Sequence, residues 1–320
     1  MAKRVVRRTY GVDVAKAWLD IYCSDTEAVE RIDNTPEAVD AWLRGGTSQA
    51  RIAVEATNRF HEVFVERAHA QGHAIYVVDA LKLCRYREAV GRRAKTDRQD
   101  AVLLARYLQQ EHAELQRWQP QNPQQTRLWR LLKRRATLVK TTTRLRQSLA
   151  DLDGLDTAAL DLIRHCQQLI GQLERELQRY ARQLDWDNDL RCCRGIPGVG
   201  PITALALVAT FHRYNFRSAD ALVAFMGLDV RVRDSGTFRG RRKLTKKGEP
   251  ELRRVLYNAA MAACHQAHWT PYYQSLRRRG FSGTAALVAL SRKLVRVGYA
   301  LLHQKVSFDP TLQPKACHTT

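Results

Sequence analysis

Apolar residues recur every seven positions twice over in the middle of the chain. Leu131, Leu138, Leu145 and Leu152 form one set; Ile163, Ile170, Leu177 and Leu184 form the other, after an intervening DLDGLD. Cys166, Leu173 and Tyr180 follow the first three of the second set by three residues. That is the spacing of a helix with a single apolar seam, and no strand satisfies it, because strand side chains alternate every two residues. Two long helices joined by a turn are therefore expected over 113–190, as an antiparallel hairpin or a dimerising coiled coil. Scaffolding or oligomerisation is the plain role for them, and direct nucleic-acid contact through RLLKRR (130–135) is the rival one.

The parts on either side differ in charge. Residues 1–112 carry a net +2, residues 113–190 +3 and residues 191–320 +16, out of +21 for the chain. A near-neutral first third joined to a basic last third suggests a catalytic or regulatory unit coupled to a polyanion-binding one. A basic membrane-surface protein would show a basic amphipathic anchor or an apolar span, and no stretch approaches the roughly 18–20 apolar residues a span needs. MAKRVVRRTY lacks the apolar centre of a signal peptide. The seven cysteines (Cys23, Cys84, Cys166, Cys192, Cys193, Cys264, Cys317) form no C-x-x-C pair, and the ten histidines show no metal-ligand spacing. Neither a zinc site nor a disulfide framework is indicated, and the thiols are expected to be reduced, in a cytoplasmic protein.

Along 1–112 strand and helix alternate. VVRRTYGVDVA and AWLDIYCS read as a hairpin, PEAVDAWLRG as a helix, RIAVEA as a buried strand and NRFHEVFVERAHAQG as a helix ending at Gly72. AIYVVDA is another strand, and TDRQDAVLLARYLQQEH a helix with Thr96 as N-cap and Gln99 at the capping-box spacing. From 191 onward the chain is expected to be mainly helical, with helices over 251–268 and 283–303 and a loose tail, DPTLQPKACHTT. The expected architecture is α/β plus α in three segments, 1–112, 113–190 and 191–320.

Carboxylates gather in the α/β part. Asp97 and Asp100, in TDRQDA, are i and i+3 on a helix and project from one face. Acidic first-turn residues are common, since the helix dipole favours them, and that alone accounts for the pair. Asp13, however, lies mid-strand in YGVDVAK, and Glu55 ends the apolar run RIAVEA. A carboxylate at a buried strand position is costly unless it is paired, hydrogen-bonded or on a metal. Strand ends and helix N-termini converge at one edge of such a sheet, so the four acids can share a site. Lys16 and Lys95 are the nearest cations for an ordinary ion-pair cluster. Four carboxylates also suit hard divalent cations, and two Mg²⁺ (or Mn²⁺) ions are the usual clamp for phosphodiester chemistry.

The basic third holds two further signals. In GIPGVG (195–200), Gly198 and Gly200 precede the apolar PITALALVATF, the form of a helix-hairpin-helix that offers backbone N–H groups and a helix N-terminus to a phosphate. A plain helix–helix turn has similar punctuation. In RVRDSGTFRGRRKLTKKG (231–248), six of the nine residues from Arg239 to Lys247 are basic (Arg239, Arg241, Arg242, Lys243, Lys246, Lys247). They form a solvated loop or a phosphate-contacting strip. Ser235 sits in an Asp-Ser-Gly sequence that is ordinarily turn chemistry, with no neighbouring histidine to suggest a triad.

The ordered set GVDVAK, VEAT, AKTDRQDA, GIPGVGPITA, DSG with its basic run, and LRRVLYNAAMAA resembles the DEDD transposases of insertion sequences. This is the "IS one-ten" group, which includes the pilin-gene invertase and the bridge-RNA-guided recombinases. The likeness runs over about residues 8–306. It implies an RNase H-like (RuvC-like) first domain whose four metal-binding acids are Asp13, Glu55, Asp97 and Asp100. It also implies a C-terminal domain whose S-G serine, here Ser235, is the nucleophile, with Thr237 as the rival hydroxyl. Donor and target DNA, a structured noncoding guide RNA and a second copy of the chain, in a dimer or tetramer, are the partners it implies. The tetramer would bring one subunit's acids to another's serine. The expected location is the bacterial cytoplasm, at the nucleoid. Attack by Ser235 would store the phosphodiester's energy in a phosphoserine ester, so no nucleotide cofactor is expected, and no Walker motif occurs. A hydrolytic RNase H-like nuclease or junction resolvase, using water on the same acids, remains an alternative. A non-catalytic nucleic-acid-binding protein is another.

Overall fold

The computed structural model describes residues 8–45, 49–57, 59–91, 97–150, 156–231, 234–235, 238–239 and 242–311. It divides into two compact units, residues 1–120 and 121–320.

Unit 1 is mixed α/β. Its elements are β1 (Thr9–Val14), β2 (Trp18–Cys23), β3 (Val29–Asp33), α1 (Pro36–Gly45), β4 (Arg51–Glu55), α2 (Glu62–Ala70), β5 (Ala74–Val78), α3 (Ala80–Ala89) and α4 (Asp97–Glu111). The sheet order is β3-β2-β1-β4-β5; β2 runs antiparallel to both β1 and β3, and β1, β4 and β5 run parallel. Period-two alternation sorts the strands' side chains. Tyr10, Val12, Val14, Leu19, Ile21, Ile52 and Val54 face α1 and α2, packing on Val39, Leu43, Phe64 and Val65. The opposite face presents Ala53 and Val78 to Leu83 of α3 and to Leu103, Leu104 and Leu108 of α4.

Gly11 faces α4. A Cβ there would overlap the backbone oxygen of Ala101 and come within 2.6 Å of the Ala105 nitrogen. Glycine on the strand, with alanines four residues apart on the helix, lets the two backbones touch.

Two elements of this unit were not anticipated. β3 is a charged edge strand, VERID, without the apolar alternation that identifies half-buried strands. α3 begins where Asp79 accepts hydrogen bonds from the Leu81 and Lys82 amides at 3.0 and 3.2 Å, an N-cap that the preceding strand obscures. α2 begins only at Glu62, after turns through 59–61.

Unit 2 holds α5 (Pro123–Ser148), α6 (Asp156–Gln183), α7 (Asp187–Arg194), α8 (Pro201–Arg213), α9 (Ala219–Phe225), the two-residue strands β6 (Val230–Arg231), β7 (Asp234–Ser235), β8 (Phe238–Arg239) and β9 (Lys243–Leu244), then α10 (Pro250–Ala263), α11 (Thr270–Arg278) and α12 (Gly283–Gln304). The heptad stretches form an antiparallel hairpin, α5 against α6, with Arg135 and Glu174 paired at 2.7 Å. Leu152 lies outside the described residues. The expected boundaries at 112 and 190 differ from the observed division. Leu128, Leu132, Leu177 and Ala181 of the hairpin share one core with α7, α8, α10 and α12, so the hairpin groups with the C-terminal part. The helix expected over 251–268 stops at Ala263, and a separate α11 follows the buried Trp269, whose indole N–H donates to the Pro197 carbonyl at 3.0 Å.

Candidate metal centre and serine loop

On β1, Gly11 and Asp13 point to the α4 side because Tyr10, Val12 and Val14 point away. The antiparallel register sets Asp13 directly opposite Asp20 of β2. On the other side, the β1–β4 ladder runs to Val12↔Val54, which leaves Glu55 as the next residue beside Asp13. α4 begins over this face, held down by the contact at Gly11, and its first turn carries Asp97, exposed, and Asp100, buried. Carboxylate oxygens of Asp13, Asp20 and Asp97 all lie within 4.8 Å of one another.

The electrostatics follow from that crowding. Burial, and then the charges of Glu55, Asp100 and Asp97, push the Asp13 carboxyl up to about 7. Asp20, only 1 % exposed, accepts two hydrogen bonds from Arg31 of β3, Nε to Oδ1 at 2.8 Å and Nη2 to Oδ2 at 2.7 Å. The Arg31 guanidinium also reaches Asp97 at 3.6 Å and lies 5.0 Å from the Trp18 ring centroid. Asp100 accepts from Arg87 of α3 at 2.5 Å. The cations that meet the acids are thus Arg31 and Arg87. Lys16 is exposed and makes no ion pair among the described residues, and Lys95 lies outside them.

The donor set fits a hard divalent cation. The ligand atoms are carboxylate oxygens converging on one face, and among the described residues no ion pair forms on Asp13. Of the four acids singled out in the sequence, Asp13 and Asp97 fall in the close group, together with Asp20, while Glu55 and Asp100 lie near enough for their charges to act on Asp13. Sequence reasoning missed Asp20, Arg31, Arg87 and Gly11. Asp20 was legible in principle: VDVAKAWLD closes a hairpin that sets Asp20 opposite Asp13. Arg31 and Arg87 lie on β3 and α3, the two unanticipated elements.

In unit 2, Ser235 is exposed and pairs with Phe238 in the β7–β8 ladder. The loop that carries it is fixed at its neck. β6 and β9 pair there (Val230↔Leu244), the Thr245 amide donates to the Asp229 carbonyl at 3.0 Å, and the Thr245 hydroxyl donates to the Asp229 carboxylate. Gly227 (φ +67°) and Gly248 (φ +149°) pack backbone to backbone; a Cβ on Gly248 would overlap the Phe225 oxygen. Arg242, Lys243, Lys246 and Lys247 are exposed, and Arg239 contributes its backbone to β8. Arg241, Gly236 and Thr237 lie outside the described residues.

Gly198 has φ +89°, and a Cβ there would sit 2.5 Å from the Ala263 Cα, so its glycine is demanded by packing against α10. Gly200 is the N-cap of α8, exposed and with open space where a Cβ would be. No described helix is long and apolar enough to cross a membrane.

Two family models match the chain. The DEDD-type IS110 model, described as "Transposase", covers residues 10–155, and the "Transposase IS116/IS110/IS902 family" model covers 191–274. The pilin gene-inverting protein of Moraxella bovis is 28% identical over 320 residues, spanning 94% of this chain and 98% of that one. Its counterpart from Moraxella lacunata is 29% identical over 282 residues, 84% of this chain and 85% of that one. The transposase for insertion sequence element IS1111A of Coxiella burnetii is 30% identical over 148 residues, 44% of this chain and 39% of that one.

Proposed function

We propose that the chain is a DEDD-type IS110 transposase of insertion sequences, an enzyme of DNA recombination, and that it cuts and rejoins DNA through a covalent phosphoserine intermediate. The observation that supports the metal-dependent part is the gathering of the Asp13, Asp20 and Asp97 carboxylates within 4.8 Å of one another, with burial and then the charges of Glu55, Asp100 and Asp97 pushing the Asp13 carboxyl up to about 7. The strand order β3-β2-β1-β4-β5 supports reading unit 1 as an RNase H-like catalytic domain.

In this reading those four acids hold divalent metal, Mg²⁺ or Mn²⁺. When bound, the metal neutralises charge on the scissile phosphate and lowers the cost of forming an oxyanion there. The chain's own groups do the rest. The Ser235 hydroxyl, from the same chain or a second copy, attacks phosphorus. A bond forms from Oγ to phosphorus and the bond to one deoxyribose oxygen breaks; the serine proton passes to solvent or a carboxylate, and the departing oxygen is protonated. The number of phosphodiester-type bonds is unchanged, so religation by a deoxyribose hydroxyl needs no nucleotide. Exposed Arg242, Lys243, Lys246 and Lys247, together with Arg239 and Arg241, contact the DNA backbone near the serine. Gly200 and the start of α8 offer a further phosphate contact, beside the turn at Gly198. A structured guide RNA and an even-numbered assembly of copies complete the proposal; the basic last third and the α5–α6 hairpin support them.

Recovery of protein-linked DNA after denaturation, mapped by mass spectrometry, tests the mechanism. An adduct on Ser235 that disappears in Ser235→Ala is expected. Metal-dependent cleavage without an adduct would instead favour water as the nucleophile.

A further inference from the structure

Asp20 is a fifth carboxylate in a cluster whose proposed chemistry uses four. It cannot be incidental to the cluster, because it faces Asp13 across the β1–β2 ladder and its oxygen lies within 4.8 Å of those of Asp13 and Asp97. It is also almost wholly buried, at 1 %, where a lone carboxylate would be expensive. Arg31 meets it from the next strand, and register fixes the meeting: Asp20↔Arg31 is a directly opposed pair of the β2–β3 ladder. The guanidinium engages both oxygens of Asp20, so neither is left without a cation. The same Nη2 atom then lies 3.6 Å from Asp97, too long for a good hydrogen bond but close enough for a solvent-screened charge interaction.

Arg87 differs in kind. Its side chain is 13 % exposed against 51 % for Arg31, and it closes on Asp100 alone. Arg31 has solvent on one side, the Trp18 ring within reach and two carboxylates from different elements, so it can give up the exposed Asp97 while keeping its grip on the buried Asp20.

We infer that Arg31 is a positioning residue and the built-in counter-cation of the acid cluster. It holds Asp20 out of the metal's ligand set, tethers Asp97 at the start of α4 while no metal is present, and yields Asp97 when a divalent cation arrives. This rests on the proposed metal-binding role of the acids. It adds that the site's affinity is set by competition with a cation of the chain itself.

The test is Mn²⁺ binding to the full chain, followed by calorimetry and by the shift in thermal unfolding, with no DNA present. In Arg31→Gln the metal-free melting temperature falls, and Mn²⁺ binds about tenfold more tightly because a positive charge beside the ion is gone. In the double variant Asp20→Asn/Arg31→Gln, which restores the net charge, affinity returns to within about threefold of wild type. Arg31→Lys, the milder change if the glutamine variant does not fold, keeps the charge but loses the two-pronged grip on Asp20, and binds Mn²⁺ about threefold more tightly. Unchanged or weaker Mn²⁺ binding in both single variants overturns the inference while leaving the metal site intact. No Mn²⁺ response in wild type, by contrast, removes the metal reading itself.

Discussion

The acid cluster stands on a five-stranded sheet, where ladder register and a helix in backbone contact place each carboxylate, whereas Ser235 stands on a two-residue ladder, and the contacts seen among the described residues of its loop are at the neck. In unit 1, position is spread over many hydrogen bonds and two apolar layers, so the site is as stiff as the fold. In unit 2 the contacts described at the neck are Gly227 against Gly248, Thr245 on Asp229, and Arg253 donating to the Gly248 carbonyl at 2.9 Å. Under the proposed mechanism, metal ligands held in fixed positions suit the first arrangement, and a serine that attacks DNA suits the second.

The largest effect expected is on the cluster's charge. Asp13→Asn should lower strand cleavage by about 10³-fold or more while leaving salt-dependent DNA binding intact, as a gel-shift and cleavage assay on one preparation would show. Equal loss of binding would place Asp13 in the fold rather than in the chemistry.

Stiffness itself is probed at Gly11. Gly11→Ala forces α4 away from β1 and should cost about 3 kcal/mol in chemical denaturation, with loss of the Mn²⁺-induced stabilisation. If Gly11→Ala unfolds normally and keeps its metal response, the close approach does not set the site.

A smaller effect, of defined sign, comes from pH. Asp13 titrates near 7 folded and near 3.9 unfolded, so the native state holds the extra proton between those values. Metal-free stability should therefore fall as pH rises from about 4 to about 7, by roughly 2 kcal/mol once partial solvent screening is allowed for. Asp13→Asn should flatten that slope, and saturating Mn²⁺ should reverse it.

At the neck of the serine loop, Thr245→Val removes one hydrogen bond to Asp229 and should cost about 1 kcal/mol. If the neck positions Ser235, adduct formation falls several-fold, Thr245→Ser restores it, and metal binding in unit 1 is unmoved. The smallest change is expected from Lys243→Ala, which should reduce the slope of log K against log salt by about 1 if that side chain meets a phosphate.

How much of this was legible in the sequence follows the same division. The β1–β2 hairpin was readable from strand alternation, β4 and β5 from short apolar runs, and α4 from its capping-box spacing. Asp13 and Glu55 stood out because carboxylates on buried strands need a reason, and Asp97 and Asp100 because they share one helix face. Arg31 was not, because its role arises from the pairing of a charged edge strand, which carries no apolar signature. Gly198 was read as a phosphate-binding glycine, but its positive φ and its contact with Ala263 are set by a residue far along the chain. The grouping of the α5–α6 hairpin with the C-terminal part was likewise hidden, since heptad spacing reports a seam and not what lies beyond it.

The docking of α4 on β1 also bears on when the protein becomes active. The β1–β2 hairpin, with Asp13 opposite Asp20, can close as soon as its strands exist, but Asp97 and Asp100 are added roughly 80 residues later. During synthesis the acids therefore stay apart until α4 has emerged and settled at Gly11, and their mutual repulsion falls on that last step. A ribosome-bound chain that ends before Glu111 has a sheet but no complete cluster. Under the proposed chemistry the nucleophile, Ser235, is made later still, so completion of the acid cluster precedes the serine that would use it.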